Sequence, residues 1–376
     1  MNLKIIDFKS YYFNPKILGL FRVIYCINVM IFVGLPCFNW LGSNLNYFFS
    51  PPLVSLSYLT GGFPNRTFFV LLTLTNVILF TLMFLGIWCK WTSLLFTLVS
   101  IIGHTFWYSF GKIDHTLLWI ITPAFLGLAG WGSFFTVNKR EGKTVDPDTS
   151  ELIMSLLALS IALSMFTSGV QKIQGGWWKW GSEAVRYNFI ENYILNDKRR
   201  LLADFFFSIK SHLVWKFFDY STLVLEIGFL FSAVNRRSFQ FFLFCGVVFH
   251  IIVLLMFNIR FYSNLLVYLL FIDWPSIART FKITYNTLSQ KRYTKALYVF
   301  FFLGITLNVY WIYSIIFKEP VFFLPGIIDI IVGSTKIQVP SDFSLQLLFC
   351  LATIIVVFSL VLYLKNRSSK RSIQRV

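Results

Sequence analysis

The chain has 376 residues and a formal net charge of +17; hydrophobic residues make up 57% of it, aromatics 20% and charged residues only 13%. Soluble domains carry charge on about a quarter of their residues, so this chain has too few polar side chains to cover a globule in water. The same figures exclude disorder, collagen, a coiled coil and a small disulfide scaffold.

The apolar residues come in long runs broken by short polar stretches, which predicts helical spans; barrel strands would alternate instead. With about 20 apolar residues to a crossing, the expected spans are 17–35, 66–88, 91–110, 114–132, 151–171, 219–235, 238–257, 261–274, 296–317 and 343–364. The eighth is short for a full crossing. The expected fold class is all-α, a polytopic transmembrane helical bundle of about ten spans. It divides into a membrane domain over 1–275 and, over 276–376, two additional spans with a basic tail. Residues 133–150 and 275–295 read as cytoplasmic connectors. The polar, basic start of the chain is not followed by a small-residue cleavage site, so no cleavable signal is expected.

Basic residues set the orientation. Lys4, Lys9 and Lys16 precede the first span, Lys139, Arg140 and Lys143 follow the fourth, and Arg236 and Arg237 the sixth. Arg279, Lys282, Lys291, Arg292 and Lys295 follow the eighth, and Lys365, Arg367, Lys370, Arg371 and Arg375 close the chain. With ten spans these clusters share the side of the N-terminus, so both termini are expected in the cytoplasm. The segment 172–218 falls outside in this scheme yet carries Lys198, Arg199, Arg200 and five further basic residues. Its apolar positions Leu202, Phe206, Ile209, Leu213 and Phe217 recur every three or four residues, which predicts an amphipathic helix lying on the outer surface.

Lys and Arg cluster between apolar runs, where they face anionic lipid, and form no basic stripe interleaved with aromatics; nucleic acid is not an expected partner and membrane lipid is. Cys26, Cys37, Cys89, Cys245 and Cys350, scattered in or beside apolar runs, read as small buried residues rather than metal ligands or disulfides, and no metal is expected.

Ionisable groups inside or at the edge of a span are costly, which makes each a site candidate. Asp114 and His115 open the fourth span; an N-cap role accounts for Asp114 but not for His115. Lys172 ends the fifth span and precedes Gly175, Gly176, Trp177, Trp178, Lys179, Trp180 and Gly181. It is either a lysine snorkelling above an aromatic belt or one desolvated by tryptophans so that it acts as a base. His250 lies within the seventh span and is followed by Asn258 and Arg260. Arg22 in the first span and Glu226 in the sixth are intramembrane charges, for which a mutual ion pair and a site contact are both open. His104 reads as structural. In the ten-span scheme Lys112, Asp114, His115, Lys172 and Arg260 share the outer face and His250 faces that half, and such convergence marks a site.

At these residues the chain resembles the membrane domain of the vitamin K-dependent gamma-carboxylase, also called the HTTM domain. The resemblance covers roughly residues 17–275. It runs through Leu18-Gly19-Leu20-Phe21-Arg22, Phe84-Leu85-Gly86 before Cys89-Lys90, Asp114-His115-Thr116, Ser168-Gly169-Val170-Gln171-Lys172-Ile173 with Trp178 and Gly181, Glu226, and Phe249-His250. It implies chemistry with a reduced, vitamin K-like quinone at the non-cytoplasmic face. In the carboxylase a lysine deprotonates vitamin K hydroquinone, oxygen adds, and the strong base so formed removes a glutamate γ-proton before carbon dioxide attacks. Lys172 stands at the position of that lysine and His115 at that of a histidine of the same active site. Asp114 stands where the animal carboxylase has asparagine. Only about 100 residues follow the matched part, where the carboxylase carries a large lumenal region. A compact bacterial-type relative is expected, similar to a branch that assists maturation of a secreted killing peptide.

The expected function is therefore that of a multi-pass protein of the bacterial cytoplasmic membrane, leaning towards an enzyme, that uses a quinol to modify a peptide or small molecule at the outer face. Lys172 and His115 are the catalytic candidates; Asp114, Trp178, His250 and Glu226 line the cofactor pocket. The alternative is a non-catalytic maturation or immunity factor that binds a secreted peptide. A transporter fits less well, since no broken span or acidic relay is evident.

Overall fold

The computed structural model describes residues 14–29, 35–36, 38–43, 46–53, 55–111, 116–137, 145–199, 201–257, 259 and 261–272. Asp114, His115, Lys112, Asn258, Arg260, the connector 275–295, the spans 296–317 and 343–364 and the boundary at 275 lie outside them. The described residues are folded as helices and turns, and each of the first eight expected spans falls on a helix. Between Ile153 and Met154 the chain divides into two compact units.

The first unit contains α1 (Pro15–Asn28), α2 (Arg66–Leu85), α3 (Cys89–Trp107), α4 (Leu117–Ala129) and the first turns of α5 (Pro147–Gln174). The side chains of Asn14 and Asn65 cap the starts of α1 and α2, accepting from the backbone N–H of Lys16 and of Phe68, the standard use of a short amide at an N-cap. Gly86 ends α2 at φ +75, a conformation that suits glycine. A Cβ there would also stand 2.7 Å from Nη1 of Arg22.

Arg22 is fully buried and donates to the carbonyls of Trp131 (3.3 Å) and Phe135, just past the C-terminus of α4. Both carbonyls lie in the turns beyond Ala129, outside any helical ladder, and a buried main-chain acceptor there needs a donor. The ion pair between Arg22 and Glu226 left open by the sequence is thus not the one formed, since Glu226 pairs with Lys172 (below). Pro123 inside α4 has no N–H for the carbonyl of Trp119, and the hydroxyl of Tyr25 donates to that carbonyl at 2.7 Å. His104 is buried, its Nδ1 2.8 Å from the carbonyl of Ser100 and its ring stacked on Trp107, as the structural reading expects.

The second unit contains the remainder of α5, then α6 (Ala184–Ile194), α7 (Ala203–Ser208), α8 (His212–Ser232), α9 (Arg236–Phe257) and α10 (Tyr262–Tyr268), which runs into a single 3-10 turn at Leu269–Phe271. Val185, Phe189, Ala203, Phe206, Trp215 and Met256 form its aromatic core, which joins α6, α7, α8 and α9. The seven residues of α10 rise only about 10 Å at 1.5 Å per residue, so its helical part is too short to cross.

The amphipathic helix expected over 202–217 is two helices. The chain is extended at Ile209, whose carbonyl accepts from the indole N–H of Trp215. Phe206 and Ile209 turn into the core, while Leu213 and Phe217 belong to α8, where with Tyr220, Val224 and Phe231 they form one exposed apolar stripe. The three-to-four periodicity was the sum of two faces of different helices.

Among the described residues three helices, α2, α5 and α9, are long and apolar enough to cross a membrane. α8 has the length, 21 residues, and carries Lys216, Asp219 and Glu226 on one buried face. Cys26 and Cys89 are buried and Cys245 partly so, with no disulfide among the described residues; Cys37 and Cys350 lie outside them.

Candidate functional site

The close approach of α5 and α8 builds the centre of the second unit. Gly169 makes that approach: a Cβ at this position would come within 2.9 Å of Ile227 and 3.0 Å of the Cβ of Glu226. Small residues let membrane helices approach closely in this way. One turn further along α5, and so on the same face, Lys172 reaches Glu226. Its Nζ donates to both carboxylate oxygens at 2.7 Å and to the hydroxyl of Ser168 at 3.0 Å. The Glu226 side chain is 4% exposed and that of Lys172 21%. The indole of Trp177 lies over the amine, 5.3 Å from Nζ to ring centroid, within the range of a cation–π contact.

His250, on α9, is buried, and its Nε2 lies 3.3 Å from the hydroxyl of Tyr268 on α10. Its ring stacks on Phe261 at 4.3 Å and on Tyr268 at 5.8 Å. Tyr268 in turn is near enough to Glu226 for the two to interact electrostatically. Three of the sequence candidates, Lys172, Glu226 and His250, are therefore brought into one neighbourhood through a tyrosine that the sequence did not single out. Trp178 is exposed; its main-chain carbonyl accepts from the hydroxyl of Tyr220, and the ring over Lys172 is that of its neighbour Trp177.

A second pair holds the turn from which Trp177 projects. Lys216 and Asp219, one helical turn apart on α8, are 2.9 Å apart with side chains 2% and 0% exposed. The Lys216 ammonium also donates to the carbonyls of Trp177 and Lys179, both at 2.9 Å. Asp219 accepts from the N–H groups of Ala184 and Val185, at the start of α6, where a carboxylate also meets the positive end of the helix dipole. These two residues fix the glycine- and tryptophan-rich turn to α8. The sequence offered one cue for them, an oppositely charged pair at i, i+3 in a helix otherwise apolar.

At the end of that turn Glu183 receives Arg186 Nη1 at 2.6 Å, and its other oxygen lies 2.6 Å from His212 Nδ1. The hydrogen bond from Arg186 holds the carboxyl below the usual carboxylate range against the opposing effect of burial, with His212 adding to the lowering. A depressed acid contributes stability above its unfolded pKa of about 4.3, lost as pH falls through the lower folded value. The melting temperature in mild detergent is expected to fall on acidification below about pH 4.3, and to fall less in Glu183→Gln. Equal acid slopes in the two proteins exclude this contribution.

Comparison with protein-family models, with curated proteins and with solved structures finds no match.

Proposed function

We propose that the chain is a multi-pass membrane enzyme whose Lys172–Glu226 pair is an acid–base centre acting with a reduced quinone, and with oxygen as the oxidant, on a peptide or small molecule at the non-cytoplasmic face. The observation that carries this reading is a lysine that donates to both oxygens of a glutamate in a setting mostly closed to water, beneath an indole. Ionisable groups are retained in membrane interiors chiefly for such work. Each of the first eight spans of the ten-span scheme overlaps a helix, the eighth only the seven-residue α10, and we count α8 with α2, α5 and α9 as a crossing because its charges face inward in pairs while its apolar stripe faces out. Pairing also bears on the orientation anomaly. Of the basic residues in 172–218, Lys172, Arg186 and Lys216 are matched by Glu226, Glu183 and Asp219, which lessens the local excess of positive charge outside.

The residues present suit a quinol: Glu226 would accept from a phenolic hydroxyl, Lys172 would donate to it or accept from it, and the Trp177 indole would give it an apolar face. When bound, that group supplies a weakly acidic hydroxyl and reducing equivalents. With its proton on the amine, Lys172 is paired and stabilises negative charge. Moving that proton to Glu226 makes both groups neutral, the arrangement favoured in a low-dielectric setting, and frees the Nζ lone pair to act as the base. Tyr268 and His250, hydrogen-bonded to each other, are assigned to the same pocket; His115 and Asp114 are assigned to it from the resemblance alone.

Lys172→Ala is expected to reduce quinol consumption by the purified protein about 100-fold or more, the usual worth of a positioned acid–base group, and a variant with full activity removes the base role. Mass spectrometry of lipid-soluble molecules that accompany the protein through mild detergent tests the quinone directly. A second reading, a non-catalytic maturation or immunity factor that binds a secreted peptide, is favoured by one observation: both oxygens of Glu226 are already taken by Lys172, as in a structural lock. Protein that carries no quinone and oxidises no quinol, yet captures a defined peptide, supports that reading instead.

A further inference from the structure

We infer that the described residues of the segment between α1 and α2 (36, 38–43, 46–53 and 55–65) are not an aqueous loop but are seated in the lipid leaflet beside the start of α2. From Pro36 to Asn65 the chain contains no Asp, Glu, Lys, Arg or His. Its described residues make short 3-10 turns at Asn39–Ser43, Asn46–Phe48 and Leu56–Leu59. Tyr47 is 91% exposed, Leu53 83% and Leu59 81%, and Phe48 and Tyr58 are also exposed.

The polar groups bond within the fold, whether buried or exposed. Ser57 is buried and donates to the carbonyl of Thr105, Ser43 to that of Trp40, Ser55 to that of Pro52 and Thr60 to that of Ser57. Main-chain N–H groups are answered as well: Phe38 by the Thr73 hydroxyl, Ser50 by the carbonyl of Ser109, and Phe63 by the Asn46 side chain. A loop in water has no need to bond its own hydroxyls while turning leucine outward. In a lipid environment both are required, because water is scarce for polar groups and plentiful apolar surface is tolerated.

Two features place the occupant. A Cβ at Gly42 would stand 2.4 Å from the Cα of Arg66, so the first turn is packed against the start of α2. From there the exposed apolar surface continues along α2 as Phe68, Leu71, Leu74 and Ile78, a stripe at helical spacing on a helix long and apolar enough to cross. The same lipid that wets that stripe covers the loop. The absence of charge argues for acyl chains over a protein partner, whose docked register calls for some complementary polar or charged contacts.

This rests on reading the chain as membrane-spanning, and the test keeps the two apart. Nitroxide labels are placed singly at positions 47, 53, 59, 71 and 179 of the full-length protein, its native cysteines replaced, in phosphatidylcholine–phosphatidylglycerol vesicles. Collisions with oxygen, which partitions into lipid, are compared with collisions with a water-soluble nickel chelate. The expected result is an oxygen-to-nickel ratio at 47, 53 and 59 several-fold above that at the exposed Lys179 position and approaching that at 71. A high ratio at 71 with a water-like ratio at the three loop positions overturns the inference and leaves the crossing of α2 intact. A water-like ratio at 71 as well fails the membrane reading itself. Loop labels shielded from both reagents, together with cross-linked dimers, assign the surface to a second copy and also overturn it. Because all three loop side chains are exposed, labelled proteins are expected to melt at the temperature of the unlabelled one.

Discussion

Glu226→Ala is expected to destabilise the detergent-solubilised protein by about 2–4 kcal/mol, more than either charge contributes when both are removed together. Truncating one member of a buried ion pair costs about 3–5 kcal/mol because the other is stranded. The lower figure applies here because Lys172 has a 21% exposed side chain and keeps Ser168 and the Trp177 ring. The double variant Lys172→Met, Glu226→Leu carries no stranded charge and fills comparable space, so its melting temperature is expected to recover most of the loss without recovering activity. Thermal melts of the wild type, both single variants and the double variant give the coupling directly. Additive single effects would show that the two groups do not interact.

Asp219→Ala is expected to do more damage, on the order of 3–5 kcal/mol for the stranded charge with about 1 kcal/mol more for the lost helix cap. Lys216 is 2% exposed and has no route to water, and the N–H groups of Ala184 and Val185 lose their acceptor at the same time. Asp219→Asn keeps an oxygen for the cap and loses only the charge, so it should fall between the two. Limited proteolysis reads the outcome locally: cleavage between 175 and 185 should appear in Asp219→Ala at temperatures where the wild type resists. A variant that melts lower but is cut no faster there would place the role of Asp219 elsewhere.

The helices were legible because uninterrupted hydrophobicity is a local signal. Their limits were less so: the periodic run over 202–217 breaks at Ile209, where the chain is extended and its carbonyl takes the indole N–H of Trp215, a bond that hydropathy does not report. Lys172, Glu226 and His250 could each be named because a charge or an imidazole in an apolar run is conspicuous. That Lys172 takes Glu226 and leaves Arg22 to carbonyls was not, since the choice depends on Gly169 letting two distant helices touch. Tyr268 was hidden for a different reason, as a tyrosine near a span end looks like an interfacial anchor. Lys216 entered the sequence reading only as an excess positive charge, and its partner three residues on turns that excess into a buried structural pair.

The ammonium of Lys216 grips the main chain on which the indole of residue 177 is mounted. Moving that ring off the Lys172 amine must therefore work against a buried cation on another helix, one that touches neither the ring nor the amine.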